Sequence, residues 1–183
     1  QRLLALDGIN NPQNLGMIRL IYENLGVHWL DDGNDIIIPA NQSLCIEQAL
    51  GGRIPEIKPM PWPGFPPDLM SIILVLATQA NGSILLHDWM YESRFFFVDN
   101  LTFMGARIVM CDPHRVLVQG GNGLQANPQG VPSPDIRAGM AMIMAGLCAK
   151  GTTVINNIQQ IDRGYERVDE KLRTLGAHIE RVE

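Results

Sequence analysis

Arg94, Arg137 and Arg163 stand where a guanidinium can meet an anion, and Asp68 stands where a carboxylate can take a proton. Arg94, in Tyr91-Glu92-Ser93-Arg94-Phe95, and Arg163, in Ile161-Asp162-Arg163-Gly164-Tyr165-Glu166-Arg167, each fall between a short strand pattern and the next helix. Arg137, in Asp135-Ile136-Arg137-Ala138, opens an apolar helix. Arginine grips carboxylate or phosphate through parallel N–H donors, and a helix N-terminus adds partial positive charge. Trp62-Pro63-Gly64-Phe65-Pro66-Pro67-Asp68 is a stiff turn that delivers Asp68 to the start of another apolar helix. The commonest role for such an aspartate is an N-cap, worth about 1 kcal/mol. Taken alone the cap is the favoured reading; a rigidly held carboxylate can also orient or deprotonate a hydroxyl, which is general-base chemistry. Arg167, Arg173 and Arg181 read as ordinary surface ion-pair partners.

The elements that position these residues come from a repeat. Asn81-Gly82-Ser83-Ile84-Leu85-Leu86, then Arg94, then Val98-Asp99-Asn100-Leu101, then Met104-Gly105-Ala106-Arg107-Ile108, follows one template. Lys150-Gly151-Thr152-Thr153-Val154-Ile155, then Arg163, then Val168 to Leu172, then Leu175-Gly176-Ala177-His178-Ile179, follows it again. The template is apolar helix, polar-Gly turn, short strand, arginine-bearing loop, amphipathic helix, Gly, strand, and each copy is on the order of 70 residues. Met17 to Asn24 with Leu25-Gly26-Val27-His28 matches its last part. Gly82 and Gly151 are expected at helix C′ positions in the left-handed region. Gly26, Gly105 and Gly176 are expected to stop helices. Strands are expected at Ile36 to Ile38, Arg107 to Cys111 and Arg115 to Gln119, with Asp112-Pro113-His114 as a turn. Val168, Leu172 and Leu175 share one helix face while Asp169 and Arg173 pair across a turn. Asn122 to Pro134 reads as a connecting loop.

With 183 residues, 46% hydrophobic and 18% charged, the chain is long enough for one domain with a real core. A net charge of −5 argues against nucleic-acid binding, which needs a basic face, yet leaves room for a local anion pocket. Cys45, Cys111 and Cys148 lack disulfide or zinc spacing, the pattern of reduced thiols in a cytoplasmic protein. His28, His87, His114 and His178 lack metal-ligand spacing, so neither metal nor cofactor is expected. The apolar runs Leu69 to Ala80 and Ala138 to Ala149 are well short of the roughly 20 residues of a membrane helix and read as buried helices. The chain starts at Gln1 in mid-pattern, as a piece of a longer chain would.

Pro63-Gly64-Phe65-Pro66-Pro67-Asp68, Glu92-Ser93-Arg94-Phe95, Asp135-Ile136-Arg137-Ala138 and Asp162-Arg163-Gly164-Tyr165-Glu166-Arg167 with Glu170-Lys171-Leu172 resemble, in order, the C-terminal half of the UDP-N-acetylglucosamine 1-carboxyvinyltransferases. The likeness runs from about Trp62 to Glu183 and is fainter before that. It implies an inside-out α/β barrel of the enolpyruvyl transferase type, built from repeated units with buried helices and outer sheets. The expected organisation is a single domain, 1–183, with units near 1–58, 59–121 and 122–183, the N-terminal lid domain being absent. The implied reaction moves the enolpyruvyl group of phosphoenolpyruvate to the 3-hydroxyl of UDP-N-acetylglucosamine, the first committed step of peptidoglycan synthesis. By the same resemblance Asp68 contacts that hydroxyl as candidate base, and the backbone around Met90 and Tyr91 contacts the nucleotide sugar. Arg94, Arg137 and Arg163 hold the phosphoenolpyruvate anion, and Asp135 lies beside the reacting carbon. Pro67 departs from the threonine usual in the family and removes a hydroxyl and an N–H donor. The implied partners are the two substrates and the missing N-terminal domain, with no nucleic acid or membrane. The 5-enolpyruvylshikimate-3-phosphate synthases share the fold but differ where Asp162 to Arg167 stands. A non-catalytic paralogue of the same fold is the reading from a different class.

Overall fold

The computed structural model describes residues 2–4, 12–33 and 35–182. The two apolar runs form helices α2 (Met70–Gln79) and α4 (Ile136–Cys148), and these pack against each other at the centre. Met70, Ile73, Leu74 and Ala77 of α2, and Ala138, Ala141, Met142 and Ala145 of α4, are buried in one core. Small residues on α4 let the two backbones approach, and each large side chain withdrawn from water contributes about 2 kcal/mol. Sheets lie outside this pair. Strands β4 (Glu56–Ile57), β5 (Gly82–His87), β6 (Arg107–Asp112) and β7 (Arg115–Gly120) form a sheet in the order β4-β5-β7-β6. Ile84, Leu86, Val116 and Val118 turn inward from it, towards α2, while β6 is largely exposed. Helices inside and sheet outside is the inverted layering expected. A second sheet joins β1 (Arg2–Leu4), β3 (Asp35–Ile38) and β2 (Leu30–Asp32) in the order β1-β3-β2, all antiparallel. Helix α1 (Pro12–Glu23) lays Met17, Ile21 and Tyr22 against the main core.

The repeat is visible in the hydrogen bonds. After α1, after α3 (Val98–Phe103) and after α6 (Val168–Thr174) the chain makes the same stop. Gly26, Gly105 and Gly176 donate to the carbonyls of Glu23, Thr102 and Arg173, and the next residues, Val27, Ala106 and Ala177, donate to Tyr22, Leu101 and Leu172. That pair of bonds is a Schellman cap, which needs the positive φ that these glycines adopt. Past α2 and α4 the expectation fails in detail. Both helices end on extended residues, Ala80 and Ala149. Gly82 and Gly151 come two residues later at φ 127° and 105°, outside the left-handed helical region. The reason is pairing: Asn81 and Lys150 leave their helices to bridge Cys45 and Gln125 in parallel, so the backbone must extend at once.

Two further expectations need correction. Asn122 to Pro134 is not wholly loop, because β8 (Val131–Pro132) pairs in parallel with β9 (Ile155–Asn156). The strand expected after Gly176 is not formed. A strand exists through its partner: β6 finds β7 just past the turn at 112–114, while residues 177–182 join no sheet among the described residues.

That segment is tied down by charge instead. Arg181 donates from both terminal nitrogens to Asp162, each at 2.9 Å, and reaches Asp169 at 3.2 Å; Arg173 meets Asp169 at 2.5 Å and Arg167 pairs with Glu170. The concavity lined by Asp162, Glu166, Arg167, Asp169, Glu170 and Arg181 is thus occupied by ion pairs, as expected for Arg167, Arg173 and Arg181. The Arg181 hydrogen bond holds Asp162 below the ordinary carboxylate range. A depressed carboxylate stabilises the fold above its unfolded value and loses that effect as pH falls through its folded value. Acidification is therefore expected to release residues 177–182, and Arg181→Gln to release them at neutral pH. Backbone 15N relaxation order parameters report both; unchanged values in the variant would show that the clamp does not hold the segment.

Candidate active site

Asp68 lies in a 3-10 turn, Pro67–Leu69, that leads into α2. Pro67 fits the first position of such a turn because its φ is already set and that position needs no N–H donor. Asp68 caps nothing. The residues at the cap positions are Pro66 and Leu69, and neither makes a side-chain cap bond. This overturns the helix-cap reading: the three-residue 3-10 turn puts Asp68 between the two cap positions and at neither. Its side chain is 61% exposed and takes a 2.5 Å hydrogen bond from Arg137 Nε, a contact that joins α2 to α4 across 69 residues of sequence.

Asp135 supplies the cap that Asp68 does not. Its Oδ1 accepts from the amides of Arg137 at 2.7 Å and Ala138 at 2.9 Å, which fixes the first turn of α4. Arg137 therefore starts from a rigid backbone and ends on Asp68. The bond to Asp68 pushes the Arg137 guanidinium above its ordinary value, and the charges of Asp68 and Asp135 and the nearby Tyr91 act in the same direction. Tyr165, half-buried, is raised above its ordinary value by burial first and by Asp68 second, with Arg137 opposing. Asp68, Asp135, Arg137, Tyr91 and Tyr165 thus share one neighbourhood.

Arg94 extends it. Its guanidinium stacks over the Tyr91 ring, 4.7 Å from the centroid, a favourable cation–π geometry. Its Nε donates to Asp88 Oδ2 at 3.2 Å. Asp88 was not anticipated. It is fully buried, and its Oδ1 accepts from the amides of Met90 at 3.0 Å and Tyr91 at 3.1 Å. The signal was available: an aspartate just past an alternating strand, followed by Trp89-Met90-Tyr91, is an Asx-turn pattern. The Met90 amide is thus engaged by Asp88, while its carbonyl accepts no bond from the described residues.

Arg163 is the residue the structure does not bring into direct contact with the others. It closes the short helix α5 (Gln159–Asp162), is exposed, and donates to Gln160 Oε1 at 3.1 Å. Its backbone is nonetheless near, because α5 packs on α4: Gly139 lies against Ile161 and Gly164 against Ile136, the residue before Arg137. What converges is three carboxylates, two arginines and two tyrosines from the starts of α2 and α4, the loop after β5 and the turn after α5, with Arg163 alongside. The arrangement can hold an anion through guanidinium groups while Asp68 faces a hydroxyl. Among the described residues no group of histidines, cysteines and carboxylates has metal-binding geometry.

Comparison with known proteins shows the family and the fold. The family model described as EPSP synthase (3-phosphoshikimate 1-carboxyvinyltransferase) matches residues 8–172. The chain is 53% identical over 170 residues to a UDP-N-acetylglucosamine 1-carboxyvinyltransferase of Bradyrhizobium diazoefficiens, covering 93% of this chain and 39% of that protein. It is 47% identical over 169 residues to the protein of the same name from Treponema denticola, with 92% and 39% covered. The chain thus spans about two fifths of the length of these curated relatives. Among solved structures, the enolpyruvyl transferase NikO from Streptomyces tendae superposes with a TM-score of 0.75 at 23% identity, over 91% of this chain and 36% of that one. An EPSP synthase from Acinetobacter baumannii does so at 0.56 and 15% identity, over 79% and 33%. The fold is that of the enolpyruvyl transferases, and the chain belongs to the EPSP synthase (3-phosphoshikimate 1-carboxyvinyltransferase) family.

Proposed function

We propose that this chain forms the catalytic wall of a cytoplasmic UDP-N-acetylglucosamine 1-carboxyvinyltransferase, the enzyme committing that sugar to peptidoglycan. Residues 1–183 make one domain of three units, near 1–58, 59–121 and 122–183, and the facing wall comes from the rest of the enzyme. The relatives that carry this name match nearly the whole chain. The observation that carries the reading is the Asp68–Arg137 contact: an exposed carboxylate that caps no helix, held by a guanidinium whose helix is itself fixed by Asp135.

In the reaction the 3-oxygen of the sugar gains a bond to the enolpyruvyl carbon, that carbon loses its bond to the phosphate oxygen, and inorganic phosphate leaves. Asp68 accepts the hydroxyl proton. Arg94, Arg137 and Arg163 face the carboxylate and phosphate of phosphoenolpyruvate, and groups fixed in advance around shifting charge supply much of a rate enhancement. Asp135 stands beside the reacting carbon, and the turn at Met90 and Tyr91 meets the nucleotide sugar.

The test is a hybrid enzyme in which this chain replaces the matching segment of the Bradyrhizobium diazoefficiens relative. Phosphate release from phosphoenolpyruvate is expected only with UDP-N-acetylglucosamine present, and negligible release is expected from the 183-residue chain alone. A folded hybrid that releases no phosphate overturns the reading; robust turnover by the chain alone overturns the shared-cleft part of it.

A further inference from the structure

We infer that Asp88 is a positioning residue that sets the aim of Arg94, and through it the affinity for the phosphoenolpyruvate anion; the substrate part of this inference rests on the function proposed above. Asp88 is fully buried and Arg94 is 9% exposed. A carboxylate removed from water in this way is tolerated only when its oxygens are satisfied, and here three donors converge on it. Two are the amides of Met90 and Tyr91 on Oδ1; the third is Arg94 Nε on Oδ2. The backbone of Asp88 is fixed in turn: its amide donates to the His114 carbonyl at 2.8 Å, and His114 Nδ1 lies 2.8 Å from the Asp88 carbonyl oxygen. The carboxylate is therefore anchored to the end of β5 and to the turn between β6 and β7, not to a mobile side chain.

The consequence lies in which nitrogen it takes. Binding Nε while the Tyr91 ring covers one face leaves the two Nη groups, which no described residue engages, as an unpaired fork. A fork of that shape matches a carboxylate or phosphate edge. Because the guanidinium is already held, less side-chain freedom is lost when the anion arrives. One carboxylate thus shapes two things at once: the turn at Met90 and Tyr91, and the direction of Arg94.

The two effects separate in Asp88→Asn. Asparagine keeps an oxygen for the amides of Met90 and Tyr91 but presents an NH2 group to Arg94 Nε, donor against donor. A hydrogen bond between charged partners is lost, which corresponds to about a tenfold to hundredfold weakening. In the hybrid enzyme, KM for phosphoenolpyruvate is expected to rise by about that factor, while KM for UDP-N-acetylglucosamine stays at its native value. Asp88→Asn added to Arg94→Ala is expected to do no further harm, since Asp88 acts through Arg94. Equal rises in both KM values, or additive losses in the double variant, overturn the inference. A substrate-free measurement covers failure of the variant to fold or of the hybrid to turn over. In 15N spectra of the unmutated chain, the Arg94 Nε–Hε signal is expected to exchange with water far more slowly than that of exposed Arg107 or Arg167, whose Nε groups meet no acceptor among the described residues. Exchange at the rate of those arginines overturns the anchoring by itself, whatever the substrate proves to be.

Discussion

Asp68→Asn is expected to lower kcat of the hybrid enzyme by about 10²- to 10⁴-fold, the range for removing a general base, with little change in melting temperature. The second half of that expectation comes from the geometry. Asp68 bonds to no helix amide, is mostly exposed, and among the described residues is tied only to Arg137. An exposed ion pair contributes about 0–1 kcal/mol, so stability hardly depends on it. Had Asp68 been a cap, the same substitution would have shortened α2 and cost stability along with rate. Asparagine keeps the shape and one acceptor for Arg137 while removing the basicity. KM for both substrates therefore stays near its native value and the loss falls on kcat, the signature of an interaction made only as the proton moves. The measurement is steady-state phosphate release beside a thermal melt. A variant with native kcat removes Asp68 from proton transfer, and one with native kcat and a lowered melting temperature restores the cap reading.

How much of this was visible in the residues alone depends on the range of the interaction that decides each feature. Short-range features were legible. The two apolar runs became central helices, the glycines at 26, 105 and 176 became three copies of one cap, and Asp169 pairs with Arg173 one turn away. What failed was settled by partners distant in sequence. Gly82 and Gly151 looked like helix terminators, yet Asn81 and Lys150 are drawn out of the helix by Cys45 and Gln125, some tens of residues earlier. Ala177 to Ile179 had the pattern of a strand and has no paired neighbour among the described residues. The site divides the same way. Arg94 and Arg163 were found from their matching places in the repeat, but Asp88, six residues from Arg94, was passed over. Nothing in a local window says that an aspartate after a strand will be buried. The Asp68–Arg137 contact, spanning two repeats, was inaccessible to any local pattern.

Gly139→Ala is expected to lower kcat of the hybrid enzyme by about 100-fold although the side chains its new methyl group would strike, Ser133 and Ile161, are not candidate site residues, because a misplacement near 1 Å costs about that much. Glycine inside a helix is unfavourable by about 0.5–1 kcal/mol relative to alanine, so on local grounds the change should stabilise α4. The packing says otherwise. A Cβ at 139 would collide with Ser133 Oγ and lie 2.6 Å from Ile161 Cγ1, and both residues are buried. Ile161 is the fixed point of α5, two residues before Arg163. To admit the methyl group α5 must move off α4, and Arg163 moves with it while Arg137, held by Asp135 and Asp68, stays. Overpacking costs about 1–3 kcal/mol, which the helix-propensity gain offsets only in part, so the melting temperature falls modestly while the rate falls steeply. Arg163→Ala is expected to give a comparable loss of rate by deletion, about 10²- to 10³-fold for one charge-stabilising group, with no loss of stability, since its only side-chain bond among the described residues is to Gln160. Combining the two tests the mechanism: if Gly139→Ala acts by displacing Arg163, the double variant is no slower than Arg163→Ala alone. Additive losses would place the effect of Gly139 elsewhere, and a Gly139→Ala enzyme with native rate and raised melting temperature would show that the α4–α5 spacing does not set the position of Arg163.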